Sequence, residues 1–160
     1  MTRGRLGALA AAALLTGAGC GSQGIDPPGE ITYVARLNGD AVRPAPVGTT
    51  ATGTGIVIIG NDNSIKFNIT VSVLTDITMA HLHVGAADGV GAIVVDLLPT
   101  PPAAGVFSGN LSSGSIQSHN LLGAETMESL AAKIRSGNAY IDIHTAADPD
   151  GAIRGQITVL

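Results

Sequence analysis

Four side chains able to do metal or acid–base chemistry recur at matching places in a motif that the chain contains twice. His81-Leu82-His83-Val84-Gly85-Ala86-Ala87-Asp88 leads through Gly89-Val90-Gly91 to Ala92-Ile93-Val94-Val95. Asp142-Ile143-His144-Thr145-Ala146-Ala147-Asp148 leads through Pro149-Asp150-Gly151 to Ala152-Ile153-Arg154-Gly155-Gln156-Ile157. Each copy reads as a strand ending in histidine, a loop of small residues carrying Asp and Gly, and a second strand opening Gly-Ala-Ile. On a strand, alternate side chains share a face, so His81 and His83 leave together, and so do Tyr140, Asp142 and His144. If the two strands are neighbours, three imidazoles and a carboxylate converge. Neutral imidazoles suit Zn²⁺ or Cu²⁺, and a carboxylate can orient a ligating ring through its free N–H. The competing expectation is purely structural: histidines at strand ends hydrogen-bond loop carbonyls, with His144 tying down the loop from Ala146 to Gly151. His119 lies outside both copies in a Ser/Asn-rich loop and is expected to be exposed.

Other polar groups of the motif call for simpler explanations. Asp148-Pro149-Asp150-Gly151 lacks the spaced oxygen ligands and bidentate Glu of a calcium loop and reads as a turn, Pro presetting φ and Asp-Gly closing the hairpin. Arg154 is expected to form a structural salt bridge with Asp142 or Asp148. The sequence has no Gly-x-Ser-x-Gly elbow, phosphate loop, Cys-x-x-Cys or His-Glu-x-x-His, so no catalytic residue is assigned.

The elements that must position these groups are mostly strands, read from β-branched runs with period two between Gly, Asn and Asp. Expected strands are residues 31–37, 52–59, 65–74, 79–84, 93–98, 106–111, 139–144 and 153–159. In the third, Ile65, Phe67, Ile69, Val71 and Val73 should face a core, with Lys66, Asn68, Thr70 and Ser72 in water. Gly60-Asn61-Asp62-Asn63-Ser64 is a hairpin turn, and Arg43-Pro44-Ala45-Pro46 is a loop. One helix is expected over residues 125–135, from the stripe Met127, Leu130, Ala131 and Ile134, with Ser136-Gly137-Asn138 stopping it. Eight strands with one short helix predict an all-β fold, an antiparallel Ig-like or Greek-key β-sandwich.

The ends and the composition set the location. Arg3 and Arg5, the apolar run Leu6 to Leu15 and the small residues before Cys20 read as a signal peptide over residues 1–20. Ala18-Gly19-Cys20 resembles a bacterial lipobox, with Gly17 where that motif carries Leu; the resemblance implies lipidation of Cys20, the only cysteine. Residues 21–29 read as a flexible tether, leaving one domain over 30–160. Without Arg3 and Arg5, six basic residues face twelve acidic ones. That balance, with two Tyr, two Phe and no Trp, excludes nucleic-acid binding and a carbohydrate-stacking platform. With one cysteine no intramolecular disulfide can form, so a Val/Ile/Leu/Ala core must hold the domain.

Three blocks resemble the CHRD (chordin) domain. Tyr140 to Ile157 is similar to its C-terminal signature, Tyr-Val-Asn-Val-His-Thr-x-x-Asn-Pro-x-Gly-Glu-Ile-Arg-Gly-Gln. His81-Leu82-His83-Val84-Gly85 with Gly91 and Val94-Val95 resembles its His-Ile-His-x-Gly block, and Tyr33 to Gly39 resembles its opening strand. Departures are Asp148 for Asn, Ala152 for Glu, and Asp40 to Pro44 for an acidic-Pro loop. The resemblance covers residues 31–160 and places Asp148, Gly151, Arg154 and Gly155 in a structural motif. It implies an extracytoplasmic β-sandwich and no reaction; growth-factor binding in chordin belongs to other, cysteine-rich modules. His-x-His on a Greek-key strand is also similar to part of the copper site of Cu/Zn superoxide dismutases. The expected function is therefore a lipid-anchored, extracytoplasmic protein, at the periplasm or cell surface, with a non-catalytic binding or structural role. Its expected partners are the membrane, through the N-terminal lipid, and an envelope or extracellular protein. The alternative is Cu or Zn binding through His81, His83, His144 and Asp142, or, further, a superoxide-dismutase-like enzyme.

Overall fold

A computed structural model describes residue 1 and residues 29–160. The expected signal peptide, Cys20 and almost all of the tether lie outside the described residues. Eight strands run in chain order as β1 (Glu30–Asn38), β2 (Thr52–Gly60), β3 (Ile65–Thr75), β4 (Ile77–Val84), β5 (Ala92–Asp96), β6 (Val106–Ile116), β7 (Ala139–Thr145) and β8 (Ile153–Val159). One helix, α1 (Met127–Arg135), joins β6 to β7. Among the described residues no helix is long and apolar enough to cross a membrane.

All pairings are antiparallel, in the order β5-β4-β7-β8-β1-β2-β3-β6. The expected all-β, sandwich-like class is correct, and its layers are the two halves of one curled sheet, a half-barrel. Curling brings the edges together: Ser112 Oγ, on β6, donates to Leu97 O, just after β5, at 2.6 Å. The concave side holds the core, in which Ile69, Leu82, Ile141, Ile143, Ile153 and Ile157 are fully buried. Each such side chain contributes roughly 1.5–3 kcal/mol relative to exposure. The helix covers this core with Leu130, Ala131 and Ile134. It starts at Met127 rather than residue 125 because Thr126 has extended backbone and its side chain accepts from Ser129 N–H, an N-cap.

Two expectations fail for local reasons. Val73 does not face the core; it is exposed, because β3 bulges against β6 between Val71 and Leu74, and Leu74 is buried in its stead. The strand β6 runs five residues beyond its expected end, through Ser112-Ser113-Gly114-Ser115-Ile116, paired to residues 65–69 of β3. The turn between β2 and β3 forms as expected, with Asn63 at φ 62°.

The interior strand β7, between β4 and β8, is buried along its whole length. Ala139, Ile141 and Ile143 enter the core, while Tyr140, Asp142 and His144 point to the convex face. That face is covered by the β4–β5 loop, the β7–β8 loop and part of the β1–β2 loop, and it carries the polar cluster.

Candidate metal centre

The condition left open by the sequence is met: β4 and β7 are neighbours, and their register sets His81 opposite Asp142, His83 opposite Tyr140 and Met79 opposite His144. His81 and Asp142 hold equivalent places in the two motif copies, as do His83 and His144. The two hairpins β4–β5 and β7–β8 therefore meet about a local two-fold between His81 and Asp142, and all four side chains gather there.

The donor atoms of His81, His83, Asp142 and His144 lie within 4.8 Å of one another, and all four residues are buried. His81 Nδ1 is 3.1 Å from His144 Nε2. Asp142 Oδ1 is 3.1 Å from His83 Nε2, 3.2 Å from His144 Nε2 and 3.9 Å from His81 Nδ1. Metal–ligand bonds of ~2.0–2.1 Å in a tetrahedron place donors about 3.3 Å apart, so the 3.1–3.2 Å separations suit one central ion and the wider ones would have to close on binding.

The outward nitrogens fix the tautomers. His83 Nδ1 lies 2.9 Å from Gly91 O, and His144 Nδ1 lies 2.8 Å from Pro149 O. A carbonyl only accepts, so in each ring Nδ1 carries the hydrogen and the neutral ring's Nε2 is a bare lone pair. Both Nε2 atoms face the Asp142 carboxylate. His83 Nε2 is buried without an aligned hydrogen bond despite its 3.1 Å approach to Oδ1. Lone pairs held this close need a proton or a cation between them. Electrostatics agree: burial pushes the Asp142 carboxyl up, but His144 and His83 more than offset it and hold it at about 2. Burial also pushes His144 down, yet Asp142 and the Pro149 carbonyl raise it above its ordinary value. His81 is lowered, by burial first and by His144 next. The group can hold a metal ion, which would take the place of shared protons.

Residues 33–157 match the family model of the CHRD domain. The chain belongs to the CHRD domain family. No curated protein and no solved structure matched it.

Around these four side chains, the CHRD signature residues act as supports. Tyr140 stacks on His83, centroids 4.7 Å apart and planes 11° from parallel. Its hydroxyl accepts from Gly91 N–H at 3.0 Å, so Gly91 of the β4–β5 loop is gripped on both sides, its N–H by Tyr140 and its carbonyl by His83. Arg154 lies over the Tyr140 ring, 3.5 Å from its centroid. The expected salt bridge of Arg154 is not formed: among the described residues it pairs with no carboxylate. Its guanidinium instead donates to the carbonyls of Gly89 (2.7 Å), Ala86 (2.9 Å) and Ala87 (3.4 Å). Strand pairing sets Arg154 beside Asp142, but the arching β4–β5 loop presents a row of carbonyls that takes its planar fork. Gln156 continues the row, its Nε2 donating to Gly85 O and Gly137 O. These supports carried a signal in the sequence, since Arg154 and Gln156 share one face of β8 by period two, and Tyr140 shares the face of Asp142 and His144 on β7.

The remaining motif residues shape the loops. Gly151 N–H donates to Asp148 O at 3.1 Å with Gly151 at φ 125°, the turn expected of Asp148-Pro149-Asp150-Gly151. Asp148 is not part of the cluster. Gly155 sits where a Cβ would lie 2.6 Å from Arg36 O, which packs β8 tightly on β1. His119 is exposed and apart from the centre.

Replacing Arg154 by Lys keeps the charge but loses the fork and the stacking plane. Arg154→Lys is expected to lower metal affinity, through the loosened Tyr140 and β4–β5 loop. It should also destabilise the metal-free domain by about 1.5–3 kcal/mol, because the loop carbonyls lose charge-assisted hydrogen bonds. A competition titration against a chelator checks the first, and thermal unfolding of the metal-free protein the second.

Proposed function

We propose that this CHRD domain is an extracytoplasmic metal-binding module that holds one Zn²⁺ or Cu²⁺ on His81 Nδ1, His83 Nε2, His144 Nε2 and Asp142 Oδ1. The observation that carries the reading is the inward aim of His83 Nε2 and His144 Nε2. Both rings spend their Nδ1–H on loop carbonyls, which turns both Nε2 atoms onto one carboxylate and leaves His83 Nε2 buried without an aligned hydrogen bond. A structural role for the histidines accounts for the outward hydrogen bonds and for the His144–Asp142 pair but not for the unpartnered His83 Nε2. Nitrogen and carboxylate donors without thiolate suit zinc and copper(II) over softer ions. Binding rather than catalysis is the proposed work, since the sequence contains no recognised nucleophile or phosphate motif.

The proposed setting is the cell envelope, with Cys20 lipidated, residues 21–29 as tether and the membrane as first partner. Mass spectrometry of the mature N-terminus tests the anchor: a diacylglyceryl mass on Cys20 is expected, and an unmodified Cys20 overturns it. Residues 29–160, which contain all the described strands and their core, test the metal reading. Chelator-stripped domain is expected to take up one equivalent of Zn²⁺ or Cu²⁺ in a calorimetric titration, and His81→Ala/His83→Ala none. Absence of uptake by the wild type would refute it.

A further inference from the structure

Three exposed apolar side chains adjoin one another at the end of the sheet where β1 begins: Ile31, Val159 and Leu160 are 46%, 68% and 74% exposed. Ile31 shares the core-facing side of β1 with Tyr33, and Val159 on β8 pairs with Tyr33. Leu160 N–H donates to Thr32 O at 3.1 Å. The patch is thus the end of the core, left uncovered by the described residues. Val73 and Val106 are comparably exposed at the other end, where Val106 pairs with Thr75. Exposure alone therefore does not choose between the two ends.

The tether chooses. Nine residues, 21–29, separate Cys20 from β1. A chain of that length spans at most ~32 Å and on average ~15–18 Å. The eleven residues of β3 alone run ~33 Å from one end of the sheet to the other. A lipid on Cys20 therefore holds the Ile31 end beside the bilayer at high effective concentration, whereas the Val106 end would meet it only with the tether drawn out along the domain. Charges around the patch come in both signs. Lys66 pairs with Glu30 at 2.9 Å and Lys133 with Glu125 at 2.6 Å. Arg135 is held on the Asn63 side chain and the Gly60 carbonyl, with Asp62 in the same turn, and Glu128 is exposed on α1. That mixture neither draws nor repels an anionic surface strongly, so a contact here is apolar rather than electrostatic.

We infer that this end of the domain rests on the lipid bilayer, with Ile31, Val159 and Leu160 set among the lipids. The β1–β2 and β7–β8 loops lie at the opposite end, so they and the cluster they cover face away from the membrane. The inference rests on the lipid-anchor reading above and adds an orientation to it. The test uses the full chain, lipidated on Cys20, in vesicles of phosphatidylethanolamine and phosphatidylglycerol. A nitroxide is placed on Val159→Cys or on Val106→Cys, both at exposed positions, the Cys20 thiol being consumed by the lipid. Power-saturation electron paramagnetic resonance then compares collisions with oxygen, which dissolves in the bilayer, and with a water-soluble nickel chelate. At 159 the label is expected to collide with oxygen and to lose its collisions with the chelate, and at 106 the reverse, a pattern unchanged in high salt. Equal chelate access at both positions, shielding at 106 instead, or shielding at 159 that salt removes overturns the orientation while the anchor stands. An unmodified Cys20, read independently by mass, overturns both readings.

Discussion

His83→Ala is expected to cost more than a hundredfold in metal affinity while the fold persists. Structural zinc sites are worth about 10–16 kcal/mol in all, so one of four donors carries roughly 3 kcal/mol, and each ~1.4 kcal/mol is tenfold. The variant removes the nitrogen that is buried without an aligned hydrogen bond and leaves His81, His144 and Asp142 in place. Thermal unfolding with and without Zn²⁺ gives a second readout. A ligand at about 100 times its dissociation constant stabilises by about 2.7 kcal/mol, so the metal-induced rise in Tm seen in the wild type should largely vanish. His119→Ala, on an exposed turn, should keep the full rise. Equal metal affinity in His83→Ala and wild type would remove His83 from the centre.

Gly91→Ala is expected to destabilise the metal-free domain by about 3 kcal/mol, through forced overpacking of backbone on backbone. A Cβ at Gly91 would lie 1.9 Å from Val84 O and 2.6 Å from its carbonyl carbon, and neither can step aside without moving β4. The displacement would also break two contacts of the centre, Gly91 O with His83 Nδ1 and Gly91 N–H with the Tyr140 hydroxyl. Metal affinity should therefore fall together with stability, and Tm by about 10 °C. Gly89→Ala, two residues earlier, is the control: its nearest neighbour to an added Cβ is Ala86 O at 4.0 Å, and near-native behaviour is expected. Denaturant melts of both variants check the contrast, and equal stabilities would contradict the close approach at Gly91.

Much of this centre was legible in the sequence because a strand's period of two is unambiguous. His81 with His83, and Asp142 with His144, had to share faces wherever those segments formed strands. The doubled motif also matches the local two-fold on which the ligands meet. What could not be read was the path of the loops. Arg154 faces Asp142 across β8 and β7, which favours a salt bridge on paper, yet the arch of residues 85–91 supplies carbonyls instead. The tautomers of His83 and His144 depend on Gly91 O and Pro149 O, positions set by loop geometry alone. Elsewhere the strict alternation in β3 misplaced Val73, because a bulge with a valine at φ 56° carries no composition signal. The extension of β6 through Ser112 to Ser115 was hidden for the opposite reason: serine and glycine look like loop, and pairing with β3 overrides them.

The most direct test is anomalous diffraction from crystals of the 29–160 domain grown with Zn²⁺ or Cu²⁺, measured at the metal's absorption edge. One peak is expected about 2.0–2.2 Å from His81 Nδ1, His83 Nε2, His144 Nε2 and Asp142 Oδ1. No peak at that position, or a peak only on surface groups, would contradict the metal centre.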